Sequence, residues 1–453
     1  MSPRSAVLAL TLAAALPAVA AAAPDEPSLE ELRRTVATLQ EELTRLKAGG
    51  AAEPSTAELE RRIDLLAAEI EKLRTGGATE ETPLVGEKGL APAAAKVYRR
   101  RTRGVSIGGY GEALYSNYAQ LNEDGAASGK TDQFDFVRLI SYVGYKFSDS
   151  ILLNSEIEFE HASTGKGGEA SVEFAYLEFQ SRRELGLRAG LLLVPVGFIN
   201  ELHEPPIFHG ARRPEVETAI IPTTWRENGA GIIGEAGPFA WRAYVVAGLS
   251  SAGFSAEGIR GGRQSGARSK AEDFALTGRL DWTGVSGLLL GGSFYTGNSG
   301  QGATVDDTEI GGRVTLFDVH GQWEHRGLQV RGLWARSTIA DTALVNQKNG
   351  LTGTRSVGEA QTGYYLEAAY DVMTLAPKGQ WSLVPFLRYE WLDTQDGVPP
   401  GYEEDPATER QALTGGLEIK PMPQVVVKLD FQHFTNEART GVDQFNIALG
   451  FLF

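Results

Sequence analysis

The sequence contains no cysteine, so disulfides and thiolate metal sites are both closed to it. Beyond its first twenty or so positions it has no run of about eighteen apolar residues, which excludes a later spanning helix. Positive charge is in deficit: 43 Lys and Arg stand against 58 Asp and Glu, a formal net charge of -15. That balance disfavours a nucleic-acid partner. Mean hydropathy is -0.19, too polar for a helical membrane protein. A transmembrane barrel escapes that test, because only alternate residues of each strand meet lipid. What is abundant fits strands and turns: 54 glycines, and aromatics at 9%.

Residues 1–22 read as a signal peptide for Sec-type export. Arg4 precedes an apolar run from Ala6 to Leu16, and Ala18-Val19-Ala20 offers a small-x-small cleavage site, with cleavage after Ala22 as the alternative. Over 23–75, Leu29, Leu32, Val36, Leu39, Leu43 and Leu46 alternate spacings of three and four, the seam of a coiled coil. The seam resumes out of phase at Leu59, Ile63, Leu66, Ile70 and Leu73. Each piece is short for a stable lone helix, so self-association or packing on another protein is expected, and the Ile/Leu pattern leans towards two strands. Residues 76–103 lack periodicity and read as a linker. It ends in Arg99-Arg100-Arg101 and Arg103, which suit either phosphate head groups or plain solvation.

From Gly104 to Phe453 the period changes to two. The tail VDQFNIALGFLF puts Phe445, Ile447, Leu449, Phe451 and Phe453 on one face and Gln444, Asn446, Ala448 and Gly450 on the other. So apolar an edge strand would aggregate in water, whereas in a closed barrel its greasy face meets lipid. Phe445, Phe451 and Phe453 are therefore the expected assembly strand. About sixteen such strands are predicted, joined alternately by long polar loops and tight links such as Arg182-Arg183-Glu184, Gly237-Pro238, Thr283-Gly284 and Pro377-Lys378-Gly379. This is the plan of an all-β transmembrane barrel of antiparallel strands, with both termini on the short-turn, periplasmic side. Strands near 170–181 and 309–322 have no clear facing. Elsewhere charges alternate with apolar residues, and a charge facing lipid costs roughly 2–4 kcal/mol for Arg or Lys. Arg138, Glu156, Glu158, Glu160, Arg242, Arg279, Arg331, Arg388 and Lys428 are thus expected on an aqueous inner wall.

One loop, Gly197 to Asn228, differs from the rest. Four prolines and the apolar Phe198, Ile207, Phe208, Ile220, Ile221 and Trp225 make it too greasy for a solvated loop. It is expected to fold into the lumen with its apolar side on the wall, presenting Arg212, Arg213, Glu215, Glu217, Arg226 and Glu227 as a constriction. The alternative is a lid on the rim or against a neighbouring subunit.

Within this loop Arg213-Pro214-x-Val216-Glu217, then Ile220-Ile221-Pro222-x-x-Trp225-x-Glu227-x-Gly229, preceded by Gly190-x-x-x-x-Pro195-x-Gly197, resembles the phosphate-selective porin O/P family. The resemblance implies an outer-membrane homotrimer that passes small hydrophilic solutes passively. Basic residues dominate the pore in that family, whereas this loop holds Glu201, Glu204, Glu215, Glu217 and Glu227 against three arginines. Phosphate is therefore one candidate among small anions. The competing reading is a structural or adhesive barrel that tethers the outer membrane to the cell wall through its coiled coil.

Catalytic patterns do not assemble. Gly229 to Gly234 matches GxGxxG, yet Gly237-Pro238 follows where a dinucleotide site needs a helix. His203-Glu204 with His209, and His320 with Glu324-His325, miss zinc-protease spacing, and no GxSxG elbow occurs. The expectation is a non-enzyme in the outer membrane of a Gram-negative-type cell, without cofactor, in contact with lipid.

Overall fold

The computed structural model describes residues 87–453 apart from 101, 166 and 376–380. The expected signal peptide, the coiled coil, linker residues 76–86 and the Pro377-Lys378-Gly379 link lie outside the described residues.

Sixteen antiparallel strands close into a barrel. They are β1 (Gly104–Tyr118), β2 (Gln133–Lys146), β3 (Ile151–Glu160), β4 (Ala170–Arg182), β5 (Leu185–Leu193), β6 (Arg226–Ala236), β7 (Phe239–Ala247) and β8 (Phe274–Val285). The second half comprises β9 (Leu288–Gly297), β10 (Val314–His325), β11 (Leu328–Ile339), β12 (Ala360–Tyr370), β13 (Ser382–Asp393), β14 (Glu409–Met422), β15 (Val425–Asn436) and β16 (Gln444–Leu452). β16 pairs with both β15 and β1, for example Ala448 with Lys428 and Leu114, so no strand edge is left open.

The two-residue period decides what each face meets. In β16, Gln444, Asn446, Ala448 and Gly450 are buried inside, while outside Leu449 is exposed and Phe445 and Phe451 are half-exposed, and Phe453 just after the strand is exposed too. Likewise Leu276 and Leu280 face outward and Thr277, Arg279 and Asp281 inward; Leu387 and Tyr389 face outward and Arg388 and Glu390 inward. A barrel with leucine and phenylalanine outside and charge inside needs a hydrocarbon solvent. The chain is read accordingly as spanning a membrane.

Three expectations on the strands need correction. The strand predicted at 309–322 is Val314–His325, because a small hairpin of Thr304–Val305 with Thr308–Glu309 occupies the residues before it. The tight link predicted at Thr283-Gly284 lies inside β8, and the turn comes at 286–287 instead. The unclear facing of β4 has a physical cause. Glu156 pairs with Phe174 and the adjacent Ile157 with Val172, so Glu173 is the extra residue of a bulge. Both Glu173 and Phe174 therefore point inward, and alternation breaks there.

Candidate functional site

The inside of the barrel is occupied, which the composition of the linker did not foretell. Leu90, Ala91, Ala93, Ala94, Ala95 and Val97 are buried, and α1 (Lys96–Arg99) packs against β1 and β2. The described part of the expected linker is thus a plug on the short-turn side. Small residues let it approach the wall: a Cβ added at Gly144 of β2 would stand 2.6 Å from the Val97 side chain. Its backbone groups find partners in the wall, as buried polar groups must. Asn154 Nδ2 donates to Ala94 O at 2.9 Å and Arg188 Nη2 donates to Lys88 O at 3.2 Å, while the plug's Tyr98 side chain donates its Oη to Glu178 at 2.6 Å. Of the expected head-group arginines, Arg99 pairs with Glu87 at 2.9 Å, and Arg100 donates to Arg103 O at 3.2 Å.

The 194–225 loop between β5 and β6 enters the lumen as expected, shorter at its end than the predicted 197–228 because Arg226, Glu227 and Asn228 belong to β6. Asn200 staples its neck: Nδ2 donates to Val194 O and Trp225 O at 2.6 and 2.9 Å, and Oδ1 accepts from Trp225 N at 2.6 Å. Phe198, Phe208, Ile220, Ile221 and Trp225 are buried, and Trp225 packs on Tyr295. Lower down, Glu204 accepts from the backbone N–H groups of Ala93 and Ala94 at 3.0 and 2.9 Å, so loop and plug meet. Burial pushes Glu204 up to about 7, against the pull of those two amides.

The wall charges hold this loop. Lys428 Nζ donates to Phe208 O and Gly210 O at 2.7 and 2.9 Å and sits over the Phe208 ring. Arg331 Nη2 reaches Ile207 O at 3.1 Å, Arg388 Nη1 reaches His209 O at 3.2 Å, and Arg279 donates to Gly197 O. Arg242 pairs with Glu201 of the loop at 2.9 Å and with Asp281 of the wall at 3.1 Å. Charged hydrogen bonds of this kind contribute roughly 1.5–3 kcal/mol each. Arg242, Arg279, Arg331, Arg388 and Lys428 thus spend donors on an irregular segment whose carbonyls have no sheet partner.

The six residues expected at a constriction separate. Glu217 is buried, accepting from Ile199 N at 2.7 Å and from Tyr365 Oη at 2.7 Å, and burial raises its carboxyl above the ordinary range. Glu227 is buried too, accepting from Gln264 N at 2.8 Å. Arg226 lies in the wall and pairs with Glu173 at 2.9 Å. These three do not face a solute path. Arg212, Arg213 and Glu215 remain half-buried. Arg212 donates to Ser116 and Tyr118 at 3.0 and 3.2 Å.

Two arginines absent from the sequence expectations complete the picture. Arg260 and Arg263, in the 248–273 loop, donate to carbonyls of the lumenal loop, Arg260 to Thr218 O at 3.3 Å and Arg263 to Thr224 O at 2.9 Å. Burial and the neighbouring guanidiniums of Arg263, Arg213 and Arg138 push Arg260 down to about 10, with Glu160 pulling the other way. Arg138 itself is held by Glu112 at 3.4 Å and Glu158 at 3.3 Å. The signal in the sequence was Arg260-Gly-Gly-Arg263, two cations separated by glycines that let the backbone come close. The GxGxxG stretch lies within β6, and His320 is buried between Asp318 at 2.5 Å and Asp281 at 3.1 Å.

No family model matches the sequence. Among solved structures, the outer membrane channel DcaP of Acinetobacter baumannii aligns over 78% of this chain and 98% of that one, with a TM-score of 0.51 at 12% identity. OmpF of Salmonella typhi, in complex with daunomycin, aligns over 78% and 98% with a TM-score of 0.49 at 10% identity. The DcaP likeness shows a shared fold, which in this chain is a closed barrel of sixteen strands. An uncharacterized protein of Aquifex aeolicus (strain VF5) is 37% identical over 362 residues, 78% of this chain and 80% of that protein. The chain belongs to the same family as that Aquifex protein.

Proposed function

We propose that the chain is an outer-membrane channel for passive diffusion of small hydrophilic solutes, favouring anions, in a state closed by the 87–98 plug and the lumenal loop. The observation that carries the anion preference is the group Arg138, Arg213, Arg260 and Arg263, all half-buried, whose crowded positive charge helps push Arg260 and Arg263 below the ordinary arginine range. One Nη of Arg213 has no hydrogen-bond partner, and a small anion would supply it. The lumenal loop is the constriction in this reading, with Arg212, Arg213 and Glu215 its solute-facing residues. Phosphate enters as one such anion on the loop motif alone, which also supports a homotrimer. The expected signal peptide supports a periplasmic N-terminal segment.

Reversal potentials in a salt gradient test the preference. With residues 87–98 removed, the barrel is expected to select anions over cations, and Arg213→Gln together with Arg260→Gln to reduce that selectivity severalfold. Cation selectivity in the parent channel would contradict it. A second reading is favoured by the filled lumen itself: a barrel that never conducts and anchors the envelope through its coiled coil. That reading predicts cell-wall association lost on deleting Leu29–Leu73.

A further inference from the structure

The bulge in β4 and the neck of the lumenal loop bring three ligand-type side chains together. One ligand atom from each of Glu156, Glu173 and His203 lies within 4.8 Å of the others, and all three residues are buried. His203 Nδ1 is 3.0 Å from the carbonyl of Asn200, an acceptor only, so Nδ1 carries the proton. Its Nε2 then turns an electron pair towards Glu156 Oε1 at 3.0 Å and Glu173 Oε2 at 3.6 Å. Lone pair against carboxylate is repulsive unless a cation lies between them. A proton on Nε2 would serve Glu156 Oε1. It would leave Glu156 Oε2 and Glu173 Oε2 as they stand, buried and without a hydrogen-bond partner.

We propose that Glu156, Glu173 and His203 bind a divalent transition-metal ion, zinc by preference, which clasps the lumenal loop to the barrel wall. Imidazole nitrogen and carboxylate oxygen are both zinc ligands, and three protein ligands leave a fourth position for water. The surroundings have the form of an outer shell: Asn200 O fixes the imidazole, and Arg226 Nη1 holds Glu173 Oε1 at 2.9 Å, leaving Oε2 for the ion. Without the bulge Glu173 would point towards lipid, and the site would have one carboxylate fewer. Arg138 is engaged by Glu112 and Glu158, so its charge is already matched. The site stands whether or not anything crosses the barrel.

The test is metal content of the folded full chain after exposure to zinc and removal of free ion. About one zinc per chain is expected, falling to background in His203→Ala and in Glu156→Gln, and unchanged in Glu309→Gln, which alters an exposed carboxylate elsewhere. Cobalt titration of the unmutated protein gives a second readout that needs no variant: a saturable visible band of a nitrogen- and oxygen-ligated ion, displaced by zinc. No stoichiometric zinc and no cobalt band would overturn the proposal, and would leave a proton at Nε2 instead. Equal zinc in His203→Ala would overturn it as well.

Discussion

Arg388 shows how one inward charge is used. Its guanidinium meets Glu390 at 2.8 Å and Glu367 at 3.1 Å, and it donates to the carbonyls of His209 and Arg212. Removing one partner of such a buried set strands the others, at about 3–5 kcal/mol. Arg388→Met is therefore expected to lower the unfolding midpoint in detergent markedly, and the triple change with Glu367→Gln and Glu390→Gln to recover most of the loss. Glu217 gives a pH-dependent counterpart. Burial holds its folded pKa above the ordinary value, so the stability tied to its protonated form is complete below about pH 4 and lost as pH rises through the folded pKa. Melting at about pH 4.5 and about pH 8 should show a smaller difference in Glu217→Gln than in the unmutated protein; an equal difference would count against burial as the cause. The inward direction of Arg388 was legible from alternation. Its contacts were not, because periodicity reports a face and says nothing of what another part of the chain places against it.

Among the elements, the tail strand was the most legible. Its alternation holds over 444–451, with Leu452 alone breaking it, and the barrel closes through it. β4 was not legible, since one bulged residue reverses the facing of everything beyond it and leaves no mark in composition. The 87–98 segment misled for a different reason. Alanine, glycine and proline without a period describe a flexible linker, yet small side chains are also what fits beneath Gly144 and against a crowded wall. Gly144→Val is accordingly expected to displace the plug and raise single-channel conductance severalfold, while Gly415→Val, whose added Cβ meets nothing nearer than the Leu387 side chain at 3.6 Å, should leave the conductance unchanged.

At the scale of the whole molecule, the sheet obeys the solvent outside it and the loops obey the charges inside it. Lipid selects the outer face of sixteen strands, and that selection is written along the sequence with a period of two. Much of the inner face meets the chain's own loop and plug. The lumen that strand count alone predicts to be wide and wet is therefore filled at the levels of Glu204, Lys428 and Arg388. In the function proposed above, anion preference and closure belong to one arrangement, in which the arginines near the lumenal loop both hold its carbonyls and keep positive charge beside the path. The most direct measurement is the planar-bilayer current of the full chain against a chain lacking 87–98. The account predicts a largely silent full chain and a steady conductance once the segment is gone. A deletion that folds as a barrel yet stays silent, or a full chain already as conductive as the deletion, would contradict it.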